Sequence, residues 1–312
     1  MYRKTVFAEN KKYGKFKVFK KLGFVFVLCL VVGALSVSCV EVIPGGFETG
    51  SSDASGGEDG TENGKDAESE FVSPEPAGGT DIFHEGRGEN KNFVVVIDAG
   101  HQDHAMNGTE PNGPGSDDMK MQLTSGTQGV YTNIPEYELT LDVSLKLRDE
   151  LLKEGYTVVM VRETNDVEVS NVERALIANK YKPSGDNDYI CSVNIRVHAN
   201  GFDSPDMRGA LMYCSTASNP YAIGELFEEC YDLSMSILEP YCELTGMPQY
   251  KSPVMYGDDM TGTNWCEIPT TIIELGFMSN KEDDILMATD EFRLNAAVGI
   301  KQGIENFFSQ YR

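Results

Sequence analysis

A continuous apolar run, Val94 to Ile97, stops at Asp98 and is followed at once by Gly100 and His101. A short β-branched run with no polar alternation predicts a strand covered on both faces, as in a parallel sheet. From Asn92 onward strand and helix patterns alternate. Glu136 to Lys153 carries Leu139, Val143, Leu147 and Leu151 on one helical face. "GYTVVMVRET" reads as a strand entered through Gly155. "VSNVERALIANKY" reads as a helix with Ser170 as N-cap and Glu173 completing a capping box. "DYICSVNIRVHAN" predicts a third strand ending in His198, and "RGALMYCST" a fourth. A helix is expected from Asn219 to about Thr245, interrupted at Pro240. "IPTTIIELGFMSN" supplies a fifth strand ending at Glu274, and Phe292 to Phe308 a closing helix. The alternation predicts an α/β fold: residues 92–312 as a single domain with a central twisted, mostly parallel sheet flanked by helices. No internal repeat is present.

Ahead of that domain the pattern changes twice. Eight basic residues between Arg3 and Lys21 precede the apolar run Leu22 to Val37. At about 16 residues the run is short for a spanning helix, which needs ~20, and suits the core of a secretory signal. It ends in "LSVSC", which resembles a bacterial lipobox with Cys39 as the lipidated residue. An uncleaved signal anchor is the alternative, and either places the remainder outside the cytoplasmic membrane. Residues 1–39 are thus expected to be a lipoprotein-type signal or anchor. Residues 40–91 are dominated by Gly, Ser, Glu and Asp and are expected to form a disordered acidic linker. His84 falls inside that stretch and needs no function.

Charge narrows the partners. The chain carries a net −23, and from Cys39 onward 18 basic residues face 48 acidic ones. Such a domain does not suit nucleic acid or anionic lipid, so contact with a membrane is expected through the N-terminal anchor only. The five cysteines after Cys39 have no zinc-finger spacing. Their odd number in an exported protein leaves at least one thiol free or paired between chains.

Two predicted strands end in a histidine, His101 and His198, another ends in Glu274, and Glu136 starts a helix. Strand ends are where an α/β sheet gathers distant side chains. Two imidazoles and a carboxylate make a zinc site with a fourth position left for water, and a further carboxylate could take a proton from that water.

Residues 92 to 310 resemble the catalytic domain of zinc-dependent N-acetylmuramoyl-L-alanine amidases of the amidase 3 type. The matching stretches are "IDAGHQ", "GTQGVYTNIPEYELTLDVSLKLRDELLKEGYTVVMVRETND", "SNVERALIANKY", "IRVHANG" and "IPTTIIELGFMSNKEDDILM". The resemblance implies that His101, Glu136 and His198 are zinc ligands and that Glu274, in "ELGFMSN", is the catalytic glutamate. Glu138 competes for the ligand position, but "EYELTL" fits the family pattern with Glu136 first. Glu138 is then left to favour the helix dipole. The implied reaction is hydrolysis of the amide between N-acetylmuramic acid and L-alanine in peptidoglycan. The rivals are a zinc carboxypeptidase on wall peptides and a non-catalytic wall-binding regulator.

Neighbouring residues carry expectations of their own. His104 is expected to be exposed. Asp98 is expected either to shape the histidine turn or to bond a ligand. Arg196 shares a strand face with His198 and is expected in a salt bridge, with a substrate carboxylate as the alternative. Trp265 and Tyr256 are candidates for stacking on substrate or for packing.

Overall fold

The computed structural model describes residues 80–87 and 91–312. The expected signal, Cys39 and the linker up to residue 79 lie outside the described residues. Nine strands are described: β1 (Thr80–His84), β2 (Phe93–Ala99), β3 (Met106–Pro111), β4 (Met119–Leu123), β5 (Thr157–Arg162), β6 (Cys191–Asn200), β7 (Ala210–Cys214), β8 (Gln249–Tyr256) and β9 (Thr270–Phe277). The helices are α1 (Glu136–Lys153), α2 (Asn171–Asn179), α3 (Ala222–Glu225), α4 (Phe227–Thr245), α5 (Thr261–Asn264), α6 (Lys281–Met287) and α7 (Asp290–Phe308).

Seven strands form one sheet in the order β1-β5-β2-β6-β9-β7-β8, and β3 pairs with β4 in a separate hairpin. The pairs β5/β2, β2/β6, β6/β9 and β7/β8 are parallel, while β1/β5 and β9/β7 are antiparallel. This is the expected mostly parallel α/β sheet. The two faces of β2 divide between two cores. Phe93, Val95 and Ile97 join the large cluster with α1, α4 and α7; Val94 and Val96 join the smaller one with Ile177 and Ala178 of α2.

On β6 the same alternation sorts polarity. Val193, Ile195 and Val197 enter the large core. Ser192, Asn194, Arg196 and His198 point to the α2 face, where Asp98 registers with Arg196 and Glu274 with His198. A buried polar row on one side of the central strands therefore leads straight to the strand ends.

Local predictions hold at several points. α1 spans the predicted residues, and Ser170 and Glu173 form both halves of the capping box on α2. Three expectations need correction. The linker does not extend to residue 91: Thr80–His84 is an edge strand, registering Ile82 on Met160 and Phe83 on Val159 of β5. His84 bonds Glu163 at 2.6 Å.

α4 continues through Pro240 rather than breaking there. Its partner α7 has no Cβ at Gly299 and Gly303, where one would lie 2.7 Å from Tyr241 Cα and 2.3 Å from Ile237 Cα. That close packing offsets the hydrogen bond a helical proline forfeits. The last sheet strand runs on past Glu274 to Phe277. The hairpin β3–β4, strand β8 and helix α6 were not foreseen. All five described cysteines are free thiols, and no described helix is long and apolar enough to cross a membrane.

Candidate metal centre and catalytic carboxylate

The turn that follows β2 is an unusual piece of backbone. Gly100 N still donates to Val197 O of β6, after which His101 takes φ +59°. A non-glycine residue in that region is strained, and here the strain is held by buried side chains. Arg162 donates to Ala99 O (2.9 Å) and Gly100 O (2.9 Å). Arg174 donates to Ala99 O (2.8 Å) and His101 O (3.0 Å), and Thr140 to Gly100 O (2.8 Å). Each carbonyl of the turn thus has a fixed donor, and the imidazole is aimed by the backbone that carries it.

Asp98 lies beneath this turn. Its carboxylate bonds Arg174 at 2.6 Å and Arg196 at 2.8 Å, and all three side chains are buried. Burial opposes its ionisation, but the two guanidinium groups hold the carboxyl well below the usual range. Asp98 therefore braces the turn through arginines rather than by bonding a histidine.

Glu136 opens α1 without a side-chain cap at Pro135. Its own backbone N–H donates to Thr127 O (2.9 Å), and Thr127 N donates back to Glu136 Oε2 (3.0 Å). Ala199 N donates to Oε1 (3.1 Å). The same Oε1 lies 3.2 Å from His101 Nε2 and 3.2 Å from His198 Nδ1. Burial pushes the Glu136 carboxyl up, and hydrogen bonds and charge from both histidines more than reverse that, leaving it far below its ordinary value. Burial also lowers His198 to about 4, so its ring is neutral at neutral pH, the form that ligates metals.

The donor set passes a simple fit test. Ligand atoms of His101, Glu136 and His198 all lie within 4.8 Å of one another. Two donors each 2.0–2.1 Å from a tetrahedral zinc stand about 3.3 Å apart, close to the two 3.2 Å separations observed. His101 Nδ1 is committed to Thr124 O at 2.8 Å, which fixes the tautomer and frees Nε2. His198 Nε2 is buried without a hydrogen-bond partner.

Glu274 stands next to His198 on β9. Its Oε2 is likewise buried and unpartnered. Burial, then the Glu136 carboxylate, raise it well above the ordinary carboxylate range against the pull of Arg196. A cleft of about 500 Å³ opens over all four residues.

The remaining candidates separate cleanly. Glu138 is exposed in the first turn of α1 and outside the cluster. His104, expected to be exposed, is half-buried beside Asp103 and Asp166, outside the cluster. Trp265 donates its indole N–H to Pro111 O (2.9 Å) and packs against a third apolar cluster, whereas Tyr256 stays exposed against Phe227. The sequence reading missed Arg162 and Arg174. Their signal was present: each is a lone cation in an otherwise apolar strand or helix face.

Gly126 shows how little slack the centre has. It sits at φ +79°, and a Cβ there would lie 2.7 Å from Glu136 Oε2 and 2.9 Å from the His101 ring. Gly126→Ala should keep the fold and lose about two orders of magnitude in kcat/KM, because displacements near 1 Å cost that much. Kinetics beside a circular-dichroism melt would check this. Near-normal activity would mean the loop is not rigid where it meets Glu136.

Strand-end histidines bracketing a buried carboxylate, with a second carboxylate alongside, make a group that could hold a metal ion next to a residue able to move a proton, the kind of centre a hydrolase uses. The chain belongs to the Amidase_3 family, N-acetylmuramoyl-L-alanine amidase, whose profile matches residues 95–306. The N-acetylmuramoyl-L-alanine amidase Rv3717 of Mycobacterium tuberculosis is 26% identical over 225 residues, covering 70% of this chain and 87% of that protein. The crystal structure of the N-acetylmuramyl-L-alanine amidase Ami1 from Mycobacterium smegmatis superposes with TM-score 0.60 at 25% identity, covering 70% and 97%. The amidase AmiC2 of Nostoc punctiforme shares the fold, with TM-score 0.52 at 19% identity, covering 71% and 99%. This chain is accordingly a peptidoglycan hydrolase of the amidase class.

Proposed function

We propose that the enzyme is zinc-dependent, with the metal held by His101, Glu136 and His198 and with Glu274 as general base. The bond cleaved is the amide joining N-acetylmuramic acid to L-alanine. The observation that carries this reading is one buried carboxylate oxygen equidistant from two imidazole nitrogens, beside a second carboxylate with a free oxygen. Zinc in such a donor set supplies Lewis acidity, making a water acidic near pH ~7 and polarising an amide carbonyl.

The chain's own groups do the rest. Glu274 takes the proton of the attacking water and returns it to the departing amine nitrogen. Its unpartnered oxygen leaves that proton with no competing acceptor, and its raised affinity for a proton suits the return step; a dication close by would moderate that rise. Glu136 cancels part of the metal charge and keeps both imidazoles in place. No serine or cysteine nucleophile is required, and the described thiols are buried or partly buried away from the cleft.

Digestion of purified muropeptides tests the assignment. A new N-terminal L-alanine, abolished by a chelator and restored by about one equivalent of zinc, is the expected result. Release of D-alanine instead would identify a carboxypeptidase, and no cleavage with zinc bound would identify a non-catalytic wall-binding protein.

We further propose that Cys39 carries a lipid and that the acidic residues up to 79 form a tether to the outer face of the cytoplasmic membrane. The basic-apolar-cysteine order supports this. Palmitate label that is lost in Cys39→Ala is expected; label that persists would refute it.

A further inference from the structure

Two clefts, not one, meet at His101, His198 and Glu274. The larger runs past Thr127, Val130 and Phe202. The second, about 320 Å³, is lined by residues of the β3–β4 hairpin and α5 and by Lys120, Asn171 and Arg196. A substrate cut at the shared residues can seat its acyl half in one cleft and its amine half in the other.

Charge distinguishes them. Asp98 is the one carboxylate that bonds both Arg174 and Arg196, so two buried guanidinium groups share a single directly bonded acid, with Glu274 the next carboxylate along the wall from Arg196. A buried cation that only shares its anion is costly to keep, and Arg196, one of the two, lines the wall of the second cleft. The bonds Arg196 makes use Nε, to Asp98, and Nη2, to Asn171 Oδ1 at 3.2 Å. Asn171 in turn donates to Gln122 O of β4 (2.7 Å), tying the hairpin to the arginine. Gly262 gives the guanidinium its room, since a Cβ there would lie 2.5 Å from Nη2. Lys120 adds a second, partly exposed cation, paired with Asp118 at 3.1 Å. Asp259 is the exposed acid at the rim.

We infer that Arg196 and Lys120 form a carboxylate-binding subsite for the amine half of the substrate, selecting a free α-carboxylate on the second residue of the stem peptide. The inference rests on the amidase reading above. The glycan half is uncharged and leaves the larger cleft, with its exposed Phe202 and Val130, as its seat. Reach agrees: Arg196 and His198 are two residues apart on one face of β6, about 6–7 Å. One residue of extended peptide advances about 3.3–3.6 Å, which brings a second-residue carboxylate roughly that far from the scissile nitrogen. Arginine offers a carboxylate two parallel donors, a contact strong enough to decide between acid and amide.

The test uses paired substrates, disaccharide-peptides whose second residue has a free or an amidated α-carboxyl, and a third amidated only at residue three. Wild type should prefer the free acid by about tenfold in kcat/KM, expressed in KM rather than kcat. In Arg196→Gln the preference should fall towards one, with Arg196→Lys intermediate, and Lys120→Met should lower it about threefold. A purely structural role for Arg196 would slow all substrates alike and leave the ratio intact, which would overturn the proposal. So would a wild-type preference that follows residue three. Calorimetric binding of the dipeptide L-Ala-D-Glu against its α-amide reads the same ratio without turnover. A protein that binds with this preference yet cleaves nothing would refute the amidase reading and keep the subsite; equal binding of the two peptides would remove the subsite and leave the amidase reading standing.

Discussion

Glu274→Gln should retain zinc and lose roughly two or more orders of magnitude in kcat, with KM little changed. The substitution keeps size and hydrogen-bonding shape but removes the carboxylate that stands beside His198 to move a proton. It should not harm folding, because the carboxyl it replaces is buried with an unpartnered oxygen and is disfavoured as a charge. A loss in kcat with binding retained is the pattern of an interaction made only in the transition state. Glu136→Ala should behave differently and lose metal and activity together, since its Oε1 is the point on which both imidazoles converge. Glu138→Ala, exposed on the same helix turn, should change neither. Metal analysis and steady-state kinetics on the three variants decide the roles. Near-normal turnover in Glu274→Gln would place the base elsewhere; loss of zinc in that variant would make it a ligand.

Much of this centre is legible in the sequence because it is built from strand ends. An apolar run that stops at a histidine fixes where that histidine stands in a parallel sheet, and the run before His198 does the same on the neighbouring strand. The helix carrying Glu136 announces itself by its leucine face. What the pattern could not reveal was whatever depends on a partner distant in sequence. The β3–β4 hairpin is mostly exposed and polar, so it carries no periodicity, yet it walls the second cleft. β8 is only partly buried and lacks alternation. Thr80–His84 is a strand only because β5 offers an edge for it to pair with. Pro240 was read as a break because the glycines that let α7 pack against its helix lie some sixty residues away. Arg196 was correctly expected in a salt bridge, but no single sequence tells that its acid, Asp98, is shared with Arg174.

That shared acid should make Asp98 among the most costly residues to remove. Asp98→Ala is expected to destabilise the domain by about 3–5 kcal/mol, because it leaves two buried guanidinium groups facing each other with no counter-charge. For a domain of this size that amounts to a fall of roughly 10 °C in Tm. By contrast, breaking the exposed Lys182–Glu267 pair should cost about 0–1 kcal/mol. The pH dependence follows from the direction of the shift. The Asp98 carboxyl is held well below its ordinary value in the folded state, so its stabilisation is fully present above the ordinary carboxylate pKa. It is lost only as pH falls through the depressed one. The gap between wild type and Asp98→Ala should therefore be constant from pH 5 to pH 8 and close only in strong acid. Activity should fall further than stability alone requires. Arg174, released from Asp98, no longer fixes Ala99 O and His101 O, and the strained turn at φ +59° relaxes and carries the imidazole away from Glu136. Denaturant unfolding across that pH range, paired with zinc content, measures both effects. A variant within about 1 kcal/mol of wild type would show that the two arginines find other partners, and the brace beneath the histidine turn would have to be sought in Arg162 alone.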